Sequence, residues 1–188
     1  MFHSNSQIQP ATLHWYNIGS LKMQLHCPKE LHNWLQDNGS LTARLMAQSH
    51  REFKVEVLFQ GFSHIRLDER RALGLNKHQA TLIREVILYG NNQPWVFARS
   101  LLPLSSLTGR LRQLRKASRK PLGAFLFKQP HLQRSPIEIA KINQNQYYLP
   151  KYLHNDQSVW GRRSVFYVDQ KPLLVSEVFL PDFLKHIQ

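Results

Sequence analysis

The sequence predicts an α+β fold built on a single antiparallel β-sheet of about six strands. Five or six strand-like segments follow one another, mostly through short turns, as they do in antiparallel sheets. Helical periodicity occurs in two places, near residues 29–48 and 106–127, so strands and helices do not alternate as in a parallel sheet. No repeat or long linker divides the chain, which we interpret as one domain over residues 1–188.

The first group of helices is predicted to be a hairpin of two short helices. Apolar residues recur at helical spacing in KELHNWLQD, residues 29–37, which Pro28 can begin and Asn38-Gly39 can end. Ser40 can cap the second helix, LTARLMAQ at residues 41–48. The side chains expected to face inward are Leu41, Leu45 and Met46.

The second group comprises predicted helices at residues 106–117 and 122–127. In the first of these, Leu107, Leu111 and Leu114 repeat at helical spacing, and the basic residues lie mostly on the other side. This pattern is typical of a helix on the protein surface.

The strand-like segments include two predicted hairpins. FKVEVLFQGF at residues 53–62 alternates at its start, as a half-buried strand does. TLIREVILY at 81–89 and PWVFARSLL at 94–102 flank a polar turn and predict a hairpin. The other expected elements are a strand at 136–143, a C-terminal hairpin around the turn at 169–171, a loop with about one helical turn at 63–80, and an extended lead-in at 1–28.

Composition is that of a globular protein with an excess of basic residues. The chain has 25 basic and 12 acidic residues, for a net charge of +13. No apolar run reaches the roughly 18 residues that span a membrane, and the N-terminal residues lack the pattern of a secretory signal. The single cysteine, Cys27, cannot form an internal disulfide and is expected to pack as a small apolar side chain. These features favour the cytoplasm.

The basic residues are concentrated in one part of the chain. No Asp or Glu occurs from Val86 to Ile137. Such a field attracts anions, which include nucleic acid, a membrane surface and a small dicarboxylate, although a solvated surface is the simplest interpretation of the cluster at 110–120. No sequence pattern of a nucleic-acid-binding motif is present, so we expect no nucleic-acid partner and leave weak membrane-surface association open. The basic residues of this stretch are Arg99, Arg110, Arg112, Arg115, Lys116, Arg119, Lys120, Lys128 and Arg134.

Two charged residues share strand parity with residues that are otherwise apolar. Glu177 shares strand parity with Leu173, Val175 and Phe179, and Arg84 interrupts the apolar run at 81–89. A carboxylate on an apolar face costs several kcal/mol unless a partner satisfies it. Three interpretations of Arg84 and Glu177 are therefore open. The two residues form a buried ion pair, or both side chains are exposed, or both belong to a small apolar pocket in which Arg84 binds an anion and Glu177 handles a proton or hydroxyl group.

Motifs for metals and cofactors are missing from the sequence. None of the ten histidines falls in HExxH or HxxxH on a predicted helix, and one cysteine cannot make a zinc-cysteine site. The sequence contains no GxGxxG, GxxxxGK[ST] or GxSxG motif. We therefore expect no metal and no cofactor. The histidines interpreted as surface residues are His32, His50, His64, His78, His131 and His154.

Five sequence blocks form an ordered set. They are GRRS at 161–164, KPLLVSEVFLP at 171–181, KPLG at 120–123, IREVIL at 83–88, and the PW…R…LLP run at 94–103. Together they resemble the chorismate lyase family, and the likeness extends from about Leu31 to Pro181. The resemblance implies helical flaps over an enclosed ligand site, suggests a monomer, and implies elimination of pyruvate from chorismate to give 4-hydroxybenzoate, the first committed step of ubiquinone biosynthesis. The alternative that this chain resembles a relative whose product is 3-hydroxybenzoate stays open.

The resemblance also assigns site residues. Arg84 would bind the ring carboxylate, and Glu177 would meet the ring hydroxyl and handle a proton. The backbone of Leu122, at the PLG turn, and that of Leu41, where a family member has Met, would contact the ligand. Arg99 matches a family arginine and is assigned to substrate access or to the pyruvyl carboxylate.

Two other functions stay open at this point. The first is a non-catalytic module that binds a small aromatic acid, as do effector domains of some bacterial transcription regulators that resemble this fold. Those carry a DNA-binding domain ahead of the fold, whereas about 28 residues precede the first predicted helix here. The second is a basic nucleic-acid-associated protein, which steep salt dependence would reveal. Whether Arg162 and Arg163 are exposed is equally open.

Overall fold

The computed structural model describes residues 13–19, 27–50, 52–116, 121–143, 146–154 and 157–188. In these parts of the chain, eight strands form one antiparallel sheet. The strands are β1 (Tyr16–Asn17), β2 (Phe53–Phe62), β3 (Thr81–Gly90), β4 (Gln93–Pro103), β5 (Gln133–Arg134), β6 (Glu138–Ile142), β7 (Val159–Val168) and β8 (Lys171–Phe179). Their order is β1-β6-β7-β8-β4-β3-β2, with β5 beside β7.

Five α-helices and two 3-10 helices accompany the sheet in the same parts of the chain. The α-helices are α1 (Lys29–Leu35), α2 (Leu41–Gln48), α3 (Leu67–Ala72), α4 (Leu122–Leu126) and α5 (Pro181–Ile187). The 3-10 helices are Gly109–Lys116 and Lys151–Leu153. No helix of the described residues is both long and apolar enough to cross a membrane.

The two predicted hairpins are confirmed, and both close through the same kind of turn. Asn91 and Asn92 join β3 to β4, with φ angles of 50° and 60°. Asp169 and Gln170 join β7 to β8, with φ angles of 50° and 64°. Two consecutive residues with positive φ make the tight turn whose twist matches that of the flanking strands.

The prediction of about six strands matches the six long ones, since β1 and β5 have two residues each. β1 lies in the predicted lead-in and pairs with β6. Residues 1–12 and 20–26 of that lead-in lie outside the described residues.

The sheet has two differently covered faces. We call the face that carries Val86, Ala98 and Glu177 the helical face, and the face that carries Arg99 and Ser176 the rear face. On the helical face, leucines and aromatic residues of α1, α2 and α5 form one apolar cluster, and α4 and the first 3-10 helix form another. On the rear face, the core includes residues next to α3 and the 146–154 segment. Each fully buried large apolar side chain stabilises the fold by about 1.5–3 kcal/mol.

Three local predictions differ from the structure. Met46 was expected to face inward, but 49% of its surface is exposed, because Leu41 and Leu45 already fill that side of α2. The helix predicted at 106–117 is a 3-10 helix from Gly109 to Lys116, although its leucines are buried as expected. The sequence interpretation missed α5, whose Phe183 packs against Trp34 at a ring-centroid distance of 4.7 Å.

Candidate active site

Strand register places Arg84 and Glu177 on the helical face. Ala98 is the Cα partner of Val86 on β3 and of Glu177 on β8. Arg84 lies two residues from Val86 and therefore shares that face, as strand parity predicted. Arg84 is 3% exposed, and burial lowers the pKa of its guanidinium from the ordinary value.

The carboxylate of Glu177 is paired with Arg162 of the neighbouring strand β7. Arg162 Nε donates to Glu177 Oε2 at 2.7 Å, and the side chain of Arg162 is only 1% exposed. Arg162 Nη1 donates at 2.7 Å to the carbonyl oxygens of Trp34 and of Asp37 at the end of α1. Arg162 therefore connects Glu177 to the helical hairpin above the sheet. The ion pair that the strand pattern allowed for Glu177 is made with Arg162 and not with Arg84.

Arg134 lies beside this pair. Its Nε donates to Ser164 Oγ at 3.0 Å and its Nη1 to the Asp37 carbonyl at 3.4 Å. Its guanidinium also lies over the ring of Phe166, 4.9 Å from the centroid. Burial first, and then the charge of Arg162, lower the pKa of Arg134 to about 10, although Glu177 and Asp37 oppose this shift.

A small cavity beneath the helices is lined by Arg134, Arg162 and Glu177. The turn from Gly39 to Leu41 and helix α4 form its roof, and Arg134, Arg162 and Glu177 supply its charged wall. Its volume of about 20 Å³ suits roughly one water molecule. The roof is closed tightly, since a Cβ atom added at Gly123 would lie 3.1 Å from Thr42 Oγ1.

Leu41 and Leu122 occupy equivalent positions in the roof. Each is the first residue of its helix, after Ser40 and Pro121 respectively. The amide of a first helical residue has no acceptor within its own helix, so it can donate to a ligand. The side chains of both leucines are buried in the apolar clusters. Leu41 lines the cavity, as does Gly123, which follows Leu122.

Arg99 is the predicted site residue that the structure does not bring to the others. It is paired with Ser176 and therefore lies on the rear face. It bonds Glu69 at 2.7 Å and Glu85 at 2.5 Å. Although burial opposes it, the Glu69 carboxylate raises the pKa of Arg99 above the ordinary value.

The question of whether Arg162 and Arg163 are exposed is answered by the structure, in which both are buried. Arg163 points to the rear face and bonds Glu138 at 2.7 Å and Asp68 at 2.8 Å. An open cleft of about 870 Å³ lies beside Arg163 on this face. We place the site in the smaller cavity, because Glu177 lines it and does not line the cleft. Arg84 lies on the same face of the sheet but lines neither of the two.

The sequence interpretation did not single out Arg134. It is one of nine basic residues in the stretch without acids, and nothing in the sequence around it distinguishes it from the exposed ones. Among the described residues, no group of three His, Cys, Asp or Glu side chains is arranged to hold a metal ion.

The structure is therefore an α+β domain with one antiparallel sheet, in which Arg134, Arg162 and Glu177 line a helix-roofed cavity. The family model described as chorismate lyase matches residues 11–187. The chain belongs to the chorismate lyase family.

Curated relatives agree with this assignment over nearly their whole length. A probable chorismate pyruvate-lyase of Thiobacillus denitrificans is 36% identical over 170 residues, 88% of this chain and 90% of the relative. A second such protein, probable chorismate pyruvate-lyase 2 of Pseudomonas entomophila, is 41% identical over 174 residues, 92% of this chain and 91% of the relative.

Solved structures support the fold alone. The effector domain of PhnF from Mycobacterium smegmatis superposes with a TM-score of 0.53 at 15% identity, covering 77% of this chain and 90% of that domain. A GntR-family transcriptional regulator from Bacillus cereus gives a TM-score of 0.51 at 12% identity, covering 70% of this chain and 93% of that one.

Proposed function

We propose that this protein is a chorismate pyruvate-lyase that converts chorismate to 4-hydroxybenzoate and pyruvate. The observation that carries the proposal is the placement of Arg84 and Glu177 on the helical face of the sheet, where Glu177 lines the cavity beneath the Gly39–Leu41 turn and α4. Membership of the family makes chorismate the substrate to test first.

The reaction is an elimination that aromatises the ring. The bond between a ring carbon and the enolpyruvyl oxygen breaks, and the neighbouring carbon, which bears the hydroxyl group, loses its hydrogen as a proton. The departing enolpyruvate takes up a proton at carbon and becomes pyruvate. No electron acceptor and no group carrier enters this balance, so we propose a reaction without a cofactor. Orientation and electrostatic stabilisation by the protein can provide the acceleration.

The proposed roles follow from charge and position. Arg84 binds the ring carboxylate through its two-pronged guanidinium. The first amides of α2 and α4, at Leu41 and Leu122, donate to the bound acid from above. Glu177 lies at the other end of the ring, accepts from the hydroxyl group and handles the proton. Arg162 fixes the orientation of Glu177 and is a positioning residue.

The closed roof predicts how the ligand moves. A cavity of about 20 Å³ is far smaller than a six-membered ring with its substituents. Binding and release therefore require the Gly39–Leu41 turn and α4 to separate. We expect release of 4-hydroxybenzoate to be slow and to limit turnover. Rapid turnover that added 4-hydroxybenzoate does not inhibit would contradict this expectation.

We further propose that the 4-hydroxybenzoate enters ubiquinone biosynthesis as its first committed precursor. A 3-hydroxybenzoate product is the alternative within the same chemistry, and chromatography separates the two isomers.

The test is to incubate the purified protein with chorismate in the presence of a metal chelator and to follow pyruvate and both hydroxybenzoates. Glu177→Ala controls for spontaneous decay of chorismate. Equal amounts of pyruvate and 4-hydroxybenzoate, both lost in the variant, are expected. Tight binding of 4-hydroxybenzoate without any release of pyruvate would refute the lyase and leave a ligand-binding protein of this fold.

A further inference from the structure

We propose that Arg134 binds the enolpyruvyl carboxylate of chorismate and so recognises the part of the substrate that the product lacks. This inference rests on the proposed lyase function. It assigns to Arg134 the role for which the sequence suggested Arg99.

The chemistry of the substrate requires a second cation near Glu177. Chorismate carries one carboxylate on the ring and a second on the enolpyruvyl group. The ring carboxylate and the hydroxyl group are at opposite ends of the ring, and the enolpyruvyl ether is on the carbon next to the hydroxyl. If Arg84 holds the ring carboxylate and Glu177 meets the hydroxyl, the second carboxylate lies on the Glu177 side and away from Arg84.

Arg134 is in the right place for this second carboxylate. Its strand β5 pairs with β7, where its Cα partner is Phe166 of the helical face. Its guanidinium lines the same cavity as Glu177 and Arg162. The ring of Phe166 and the hydroxyl of Ser164 hold it from below.

Arg134 also differs in its partners from three other arginines of the sheet. Arg162 is bonded to Glu177, Arg163 to Glu138 and Asp68, and Arg99 to Glu69 and Glu85. Each of these three guanidinium groups is therefore balanced by at least one carboxylate.

Among the described residues, no carboxylate lies within 4 Å of Arg134, whose acceptors are a hydroxyl and a carbonyl. These acceptors use Nε and Nη1, and within the same residues Nη2 contacts no acceptor. The lowered pKa of Arg134 also indicates that its charge is not fully balanced, since burial and the charge of Arg162 outweigh the nearby negative charges of Glu177 and Asp37. An incoming carboxylate would complete the charge balance and would form a strong charge-assisted hydrogen bond.

The experiment compares chorismate with 4-hydroxybenzoate, which keeps the ring carboxylate and the hydroxyl group but lacks the enolpyruvyl group. For Arg134→Gln we expect KM for chorismate to rise about 10- to 100-fold, the range set by loss of a charge-assisted contact. The Kd for 4-hydroxybenzoate, measured by calorimetry, should stay within about threefold of wild type, because this ligand has no second carboxylate. Arg134→Lys, which keeps the charge, should give an intermediate KM.

The matched control is Arg112→Gln, which removes an exposed arginine of the first 3-10 helix and should change neither constant. An unchanged KM in Arg134→Gln would overturn the inference. Equal weakening of chorismate and 4-hydroxybenzoate would also overturn it, since that pattern indicates a structural role through Ser164 and Asp37.

The same variants separate this inference from the proposed function. If the wild-type protein releases no pyruvate, the lyase has failed, and calorimetry then compares chorismate with 4-hydroxybenzoate directly. Selective weakening of chorismate in Arg134→Gln would still support the second carboxylate site. No selectivity between the two ligands would refute it.

Discussion

Replacing Glu177 with glutamine separates a role in the reaction from a role in the fold. The amide keeps the size of the side chain and an oxygen that can still accept from Arg162 Nε. It removes the negative charge and the ability to take up a proton at neutral pH. Turnover and stability should therefore respond very differently to this one change.

The structure sets the scale of both responses. Removing one partner of a buried ion pair costs about 3–5 kcal/mol of unfolding free energy. Here Arg162 keeps the carbonyls of Trp34 and Asp37, and Glu177 is 17% exposed, so we expect the lower figure of about 1.5–3 kcal/mol. Loss of a positioned proton-transfer group lowers turnover by about 10²–10⁴-fold.

Urea unfolding gives the stability change, and pyruvate release gives kcat. The matched control is Glu138→Gln. Its carboxylate accepts from Arg163 Nε at the same 2.7 Å, on the neighbouring residue of β7, but on the rear face. We expect this variant to lose less than about 2 kcal/mol, because Glu138 is more exposed, and to keep full turnover. A turnover loss in Glu177→Gln no larger than that of Glu138→Gln would refute the assignment.

Two further predictions concern the contacts that hold the roof. Arg162→Met should cost about 3–5 kcal/mol in urea unfolding, because it leaves the Glu177 carboxylate and the Trp34 carbonyl without the donor that Arg162 supplies; a loss below about 1 kcal/mol would contradict this. Burial alone would raise the pKa of Asp37, but the Gly39 amide, Arg162 and Arg44 lower it below its ordinary 3.8. The stability that the Asp37 carboxylate adds is therefore fully present above its ordinary pKa and is lost as pH falls through its pKa in the folded state. The difference in unfolding free energy between wild type and Asp37→Asn should shrink below about pH 4. A difference that stays constant down to about pH 2 would contradict this prediction.

Local sequence patterns predicted much of the fold for identifiable reasons. The β3–β4 and β7–β8 hairpins each combine apolar runs with a polar two-residue turn, so neighbouring residues contain the whole signal. Ser40 caps α2 as predicted, accepting from the Ala43 amide at 3.3 Å. Helix α5 was missed because its burial depends on contacts of Phe183 with Trp34 and Phe179, which are far away in sequence or on another element.

The site could be predicted only in part. Strand parity alone was sufficient to place Arg84 with its apolar neighbours and Glu177 with Phe179. Parity within β4 could not tell whether Arg99 lies on the same face as Glu177, because that depends on the register between β4 and β8. The register pairs Arg99 with Ser176 and places it on the opposite face. A shift of one residue in register moves every side chain to the other face.

The sequence by itself determined the antiparallel α+β architecture and the two hairpins. It also determined that Arg84 and Glu177 each share strand parity with apolar residues. These features depend only on the alternation of neighbouring residues and on the residues of short turns. Only the tertiary structure decided the partners of these charges. Arg162 bonds Glu177, and both Arg162 and Arg134 donate to the carbonyl of Asp37 in the α1–α2 turn, from which they are 125 and 97 residues away in sequence. Long-range register and packing, which no local pattern encodes, therefore decide which arginines lie at the cavity and which lie on the protein surface.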